Sequence, residues 1–235
     1  MNKGLKTFAV LIAAAYALSQ PAWAASVKGA VAFTGTAPAG KPVNMAADPT
    51  CAAQHKTPQM SEEVVVNSNN TLKNVFVYVK TGLEGKTFPV PAEPVSFDQS
   101  GCHYVPHVVG VMVGQPFQII NSDSTLHNVH SLSKESKQFN LGMPIKGMKI
   151  KKTFEKPEIM AKVKCDVHPW MNAYIGVLSH PFYAVSGEDG SFEIKDLPPG
   201  TYTLEAWQET LGTKTAEITV PESGEIPAVQ FSFGS

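Results

Sequence analysis

The sequence predicts an all-β protein, and three observations carry that prediction. Glycine and proline number 18 each. No stretch sustains the apolar spacing of a long helix, and Val, Thr, Ile, Phe and Tyr recur in short alternating runs, the period-two pattern of half-buried strands.

Lys3 and Lys6 precede an apolar run of 11 residues from Phe8 to Leu18, followed by Pro21-Ala22-Trp23-Ala24 with small residues at the cleavage positions. This is the pattern of a secretory signal peptide over residues 1–24. The run is well short of the ~20 residues that span a bilayer. The mature chain is therefore expected to be exported to the periplasm, without a membrane span. Its roughly 210 residues suffice for one large domain or two small ones.

The first expected strand is the alternating Ser26–Phe33, followed by a Gly/Pro/Ala-rich loop from Gly35 to Pro49. Glu63–Asn67 and Asn74–Lys80 read as the next two strands. Between Gly82 and Pro94 the composition turns to Gly and Pro, with Pro89, Pro91 and Pro94 spaced as a stiff connector, which places a boundary near residue 86. Val105 to Asn121 reads as two strands broken at Gly114 and delivers His127 from the loop or strand start beyond. Further on, Ile159, Ala161, Val163 and Cys165 fall on one face, with Met160, Lys162 and Lys164 on the other, so strand alternation turns Cys165 inward. Beyond His180, turns at Asp189-Gly190 and Pro198–Gly200 separate alternating strands, with Tyr202, Leu204 and Ala206 facing one way. Lys214–Val220 and Val229–Phe233 complete the set.

The formal charge is −1, and loss of Lys3 and Lys6 with the leader takes it to −3. That excludes a strongly basic nucleic-acid binder. Every one of the 19 basic residues is lysine, so bidentate guanidinium recognition of phosphate is not available to the chain. Seven lysines, at 146, 149, 151, 152, 156, 162 and 164, gather just before Cys165. They are either an ordinary solvated face or a docking surface for an acidic redox partner.

Cys165, His168 and Met171 stand together in Cys-Asp-Val-His-Pro-Trp-Met, and His127 lies 38 residues upstream of the cysteine in Asn-Ser-Asp-Ser-Thr-Leu-His-Asn-Val-His. The spacing fits three ligands onto one tight loop, with the fourth supplied by a distant strand. A His₂Cys set with a weak axial Met is the ligand field of one blue, type 1 copper ion: thiolate and thioether suit Cu(I), and imidazole serves both oxidation states. Taken singly, an inward Cys or Met is usually a packing residue. Order and spacing together favour copper. His130, Met143, Met148 and His180 lack such support and read as structural, although His130, two residues beyond Asn128, lies close enough in sequence to supplement a ligand. Three cysteines leave Cys51 and Cys102 as a candidate disulfide in an oxidising compartment. The rival is a second metal site, because His55 follows Cys51 at i+4 and His103 and His107 follow Cys102 closely.

Two resemblances extend this reading. Residues of about 95–180, centred on Asn-x-Asp-x-x-x-His-Asn-Val-His and Cys-x-x-His-Pro-aromatic-Met, resemble the cupredoxins, amicyanin in particular. That resemblance implies His127 and His168 as imidazole ligands, Cys165 as thiolate, Met171 as axial thioether, and Asn128 as the residue bracing the cysteine loop. Pro169 and Trp170 would form part of an apolar electron-exit patch, while Asn121 and Asp123 read as turn formers. The stretch Gly-x-Phe-x-Ile-x-x-Leu-Pro-Pro-Gly-x-Tyr-x-Leu resembles the second half of a carboxypeptidase regulatory-like (prealbumin-like) β-sandwich, and Val27–Phe33 with Val75–Lys80 is similar to its first half. The expected fold is thus an all-β cupredoxin Greek-key β-sandwich, residues 86–180, inserted in or adjacent to a second sandwich made of 25–85 and 181–235.

No nucleophile elbow, His-Glu-x-x-His or phosphate loop is present, so a non-enzymatic electron carrier is expected. The resemblance implies a periplasmic dehydrogenase or a c-type cytochrome as redox partner. A copper carrier or storage protein without relay function is the alternative. A binding module anchored by the copper block is a third.

Overall fold

A computed structural model describes residues 25–234. The expected signal peptide lies outside the described residues. Among the described residues, no helix is long and apolar enough to cross a membrane. Strands dominate, in four sheets that enclose two separate cores.

The first core is drawn from both ends of the chain. β1 (Ala25–Thr34) lies between β13 (Ser191–Leu197), antiparallel, and β16 (Val229–Gly234), parallel. Facing it is a sheet ordered β12-β2-β14-β15, from Tyr183–Val185, Phe76–Thr81, Gly200–Gln208 and Gly212–Val220. Alternation sorts the faces: Val27, Val31 and Phe33 of β1 meet Val77 and Val79 of β2 and Tyr202 and Leu204 of β14. The expected turn before β13 uses Gly190 at φ 76°, a left-handed conformation that glycine adopts without Cβ strain.

The second core lies between two further sheets. One is ordered β5-β11-β10-β7-β8, from Val108–Met112, Asn172–Leu178, Glu158–Lys164, His127–Ser131 and Asn140–Met143. The other is ordered β4-β3-β6-β9, from His103–Val105, Val95–Ser100, Phe117–Asn121 and Lys149–Lys152. As the sequence suggests, β5 and β6 are separated by a turn through Gly114, at φ 78°.

A third, smaller cluster joins the two. Phe76 and Tyr78 point away from the first core and pack with Val108, Met160 and Leu178. Both faces of β2 are therefore buried, which is why Val75–Val79 reads as an unbroken apolar run.

Two expectations are corrected. Glu63–Asn67 forms no strand; a single bridge, Val66 to Leu72, survives, because the backbone turns back at once through Asn67 to Thr71, with Asn70 at φ 58°. In β10 Ile159, expected inward, is exposed, while Met160 stays on the face opposite Val163 and is buried there against Phe76 and Tyr78. The register with β11 shifts between Glu158 and Ala161 and Met160 sits at φ 62°, so a bulge takes Ile159 out of the alternation and leaves the half leading to Cys165 as expected. The loop expected from Gly35 to Pro49 runs as such to Asp48, where it leads into a short helix, α1 (Pro49–Ala52), with Asp48 as N-cap and Pro49 pre-set for the first turn.

Candidate metal centre

His127 opens β7, directly after a turn built by side chains. Asn121 Nδ2 donates to the carbonyls of Thr125 (3.1 Å) and Met143 (2.7 Å), and its Oδ1 accepts from Asp123 N at 3.0 Å. Asp123 is more than a turn former. Its carboxylate accepts from the backbone N–H groups of Gly101 (2.9 Å) and Cys102 (2.8 Å), and Oδ2 stands 2.9 Å from His127 Nε2.

Cys165, His168 and Met171 lie on the loop between β10 and β11. The loop is cinched by Cys165 N to Met171 O at 3.0 Å, Met171 N to His168 O at 2.9 Å and His168 N to Cys165 Sγ at 3.4 Å. Asn128 braces it from β7: its Oδ1 accepts from Asp166 N at 2.7 Å and from the Cys165 thiol at 3.3 Å, and its Nδ2 donates to Asn140 and Asp166.

One atom each from His127, Cys165 and His168 falls within 4.8 Å of the others, and all three side chains are buried. His127 Nδ1 and His168 Nδ1 are 2.9 Å apart, with Cys165 Sγ 3.8 Å from the latter. Met171, at the end of the same loop, is 1% exposed and packs in the same core.

The outer nitrogens decide what the inner ones can do. His127 Nε2 faces Asp123, and His168 Nε2 faces Asp48 Oδ2 at 2.8 Å. An ionised carboxylate only accepts, so each Nε2 carries a proton and each Nδ1 is turned to the centre, where it offers a lone pair once free of its own proton. Two lone pairs beside a thiol, 2.9 Å apart, are satisfied only by a shared proton or a cation. Donors arranged around an ion at ~2 Å from each nitrogen sit at separations of this order. The donor set, two imidazoles and one sulfur, therefore fits a soft or borderline transition metal.

The electrostatics agree. Burial works against a charged His127, but the hydrogen bond to Asp123 and the Cys165 sulfur outweigh it and hold the pKa up at about 9. Burial likewise opposes the Cys165 thiolate, yet the imidazole of His127 and backbone donors of the loop bring its pKa below the ordinary thiol value. Asp48 is lowered to about 2 by its hydrogen bond to His168, against a smaller burial effect, with help from the N–H groups of Cys51 and Thr50. Asp123 is lowered as well: burial is outweighed by His127 and by the Cys102 and Gly101 N–H groups.

Sequence reasoning missed both carboxylates as partners of the histidines. Asp123 was within reach, four residues before His127. Asp48 was not: it arrives from a segment 120 residues away from His168, anchored by Met45 and Cys51 in the second core. Cys51 and Cys102 are joined, with Cα atoms 5.6 Å apart. The histidines considered beside them are otherwise engaged: His55 Nε2 contacts Gly101 O at 2.7 Å, and His107 contacts Glu209 at 2.6 Å and Asn172 O at 3.1 Å. His103 Nε2 is buried and makes no hydrogen bond. His130 turns to Asp166 (3.0 Å), His180 accepts from Phe182 N (3.2 Å), and Met143 Sδ accepts from Gln99 (3.1 Å). Met148 packs partly buried against the second core.

Around the centre, Trp170 packs 5.0 Å from the His168 ring and donates to Cys102 O at 3.0 Å, while Pro169 is exposed beside it. Leu126 and Val167, each preceding a histidine, are 46% and 45% exposed. Lys164 is paired with Asp166 at 2.9 Å, and Lys162 lies over the Tyr174 ring.

Comparison with known proteins gives partial likenesses. Residues 159–227 match the family model described as polysaccharide lyase family 4, domain II. No curated protein matches the chain. Among solved structures, the chain is similar to a copper-containing nitrite reductase from Thermus scotoductus SA-01 at 22% identity and TM-score 0.35, over 43% of this chain and 25% of that one. It thus spans about a quarter of the reductase's length. It is also similar to a purple cupredoxin from Nitrosopumilus maritimus, at 23% identity and TM-score 0.30 over 35% of this chain and 97% of that one. A Cu(I) amicyanin mutant is similar at 23% identity and TM-score 0.33, over 37% and 85% of the two chains.

Proposed function

We propose that the chain is an exported, periplasmic type 1 copper protein that carries single electrons, with His127, Cys165, His168 and Met171 as ligands and no catalytic turnover of its own. The observation that carries this reading is the convergence of two Nδ1 lone pairs and the Cys165 sulfur, with both Nε2 atoms clamped by carboxylates. Copper, when bound, supplies the one-electron couple.

The chain's own residues do the rest. Asp123 and Asp48 fix the tautomer and ring plane of each histidine, and Asn128 with the loop N–H groups holds Cys165, so a change of oxidation state meets a framework already in place. Burial of all three excludes water from the centre. Leu126, Val167, Pro169 and Trp170 supply an apolar surface over the histidines, and the lysines of β9 and β10 suit a partner with an acidic rim, such as a dehydrogenase or c-type cytochrome. We read residues 25–85 and 181–235, apart from the segment around Met45 and Cys51 that packs into the second core, as one prealbumin-like sandwich interrupted by the copper block; the pairing of β1 with β13 and β16 supports that reading.

Copper titration of the protein lacking residues 1–24 tests the reading. An intense thiolate-to-copper visible band, reversibly bleached by reduction and absent in Cys165→Ser, is the expected result. Tight Cu(I) binding with no Cu(II) chromophore would instead mark a copper carrier.

A further inference from the structure

The Cys51–Cys102 bond lies in surroundings that a structural staple does not need. Cys51 Sγ is 3.6 Å from His168 Nε2, and Asp48, Cys51 and His168 offer donor atoms within 4.8 Å of one another. On the other side, Cys102, Asp123 and His127 form a second such group. The two sulfurs, both fully buried, thus sit between two carboxylates and the outer edges of the two histidines, whose inner edges meet at Cys165. Asp48 and Asp123, which already hold the two histidines from outside, thus also stand close to the two sulfurs.

We propose that the disulfide is the oxidised, closed form of a second metal site. A dithiol reductant transfers two electrons and two protons to the bond, leaving as its own disulfide, and Cys51 and Cys102 remain as thiols. On binding Zn(II), both thiols release their protons to solvent and coordinate through sulfur, with Asp48 and Asp123 as oxygen donors. Half the site rides on the segment around α1, whose residues Ala46, Ala47, Thr50 and Ala52 are solvent-exposed, and half on the turns at Cys102 and Asp123. Both sulfurs are fully buried, so entry of the reductant and the ion requires the α1 segment to move away from the turns. The site shares histidine surroundings with the copper centre but does not require copper there.

The test is native mass spectrometry with Zn(II), anaerobically, before and after dithiothreitol, with free thiols counted in parallel. The oxidised protein has one free thiol, Cys165. Reduction is expected to give three, with the β-sheet circular dichroism retained and one additional Zn(II) bound. The increment should persist in Cys165→Ser, disappear in the Cys51→Ala/Cys102→Ala double variant, and weaken at least tenfold in Asp48→Asn. A thiol count that stays at one, loss of the β-sheet signal on reduction, or an unchanged zinc count each overturns the proposal. The visible copper band of the oxidised wild type reports separately on the first centre, so the two readings fail independently.

Discussion

His127 Nδ1 and His168 Nδ1 stand 2.9 Å apart although one residue opens β7 and the other lies on the loop between β10 and β11, and each ring is turned to that position by a carboxylate on its far nitrogen. The pair is held from outside. Asp123 is fixed by two backbone N–H groups and Asp48 by the first turn of α1, so neither imidazole can rotate without breaking a charge-assisted hydrogen bond.

Replacing Asp123 by Asn should therefore weaken copper binding about 10- to 100-fold, the usual effect of losing a partner that orients a ligand histidine. An amide can present its own N–H to Nε2 and so favour the opposite tautomer, which places a proton where the metal lone pair belongs. Competition with a copper chelator of known affinity reads the change, and an unaltered affinity would show that Asp123 does not set the tautomer.

Proton and metal compete for the same nitrogen of His127. Its folded-state pKa of about 9 lies above the ordinary value of 6.5, so in the metal-free protein its stabilising contribution is complete below about pH 6.5 and is lost as pH rises through 9. Metal-free stability from this group should fall across that window, while copper affinity rises as the proton leaves. Asp48 has the opposite sense: its contribution is present above the ordinary 3.8 and disappears as pH falls toward 2. Urea midpoints of metal-free and copper-loaded protein between pH 6 and roughly 9.5 check the first sign; the two series should diverge as pH increases.

Asn128→Ala removes the acceptor for Asp166 N and for the Cys165 thiol at one stroke. A backbone N–H left without a partner costs roughly 1–3 kcal/mol, less where water reaches it. A lowered denaturation midpoint together with a shifted visible band is expected. A stability change with an unmoved band would confine Asn128 to a structural role.

Much of this centre was written locally. Cys165, His168 and Met171 share one short loop, and alternation through Ala161 and Val163 correctly turns Cys165 inward because the bulge at Met160 falls upstream of them. What was hidden is what depends on tertiary contact. Nothing in the residues around Met160 announces φ 62°; the bulge is favoured by a partner, since Met160 packs against Phe76 and Tyr78 of a strand far away in sequence. Asp48 is hidden for the same reason: it lies in a stretch that reads as loop, and its role becomes visible only when His168 arrives beside it.

Gly176→Ala tests the junction between the two sandwiches without touching the centre. A Cβ at Gly176 would lie 2.4 Å from Phe76 Cζ and 2.9 Å from Met160 Cε, both in the cluster that joins β2 to the second core. The methionine end can shift, but the Phe76 ring is fully buried and stacked on Tyr183 at 5.4 Å, so the added methyl must displace a packed aromatic. Overpacking of this kind costs about 1–3 kcal/mol. The expected result is a lower urea midpoint with the copper band unchanged, because Gly176 lies on β11 at the far side of the strand from Asn172 and the ligand loop. A variant as stable as the parent would mean that the junction yields freely, and that Phe76 does not lock the two sandwiches together.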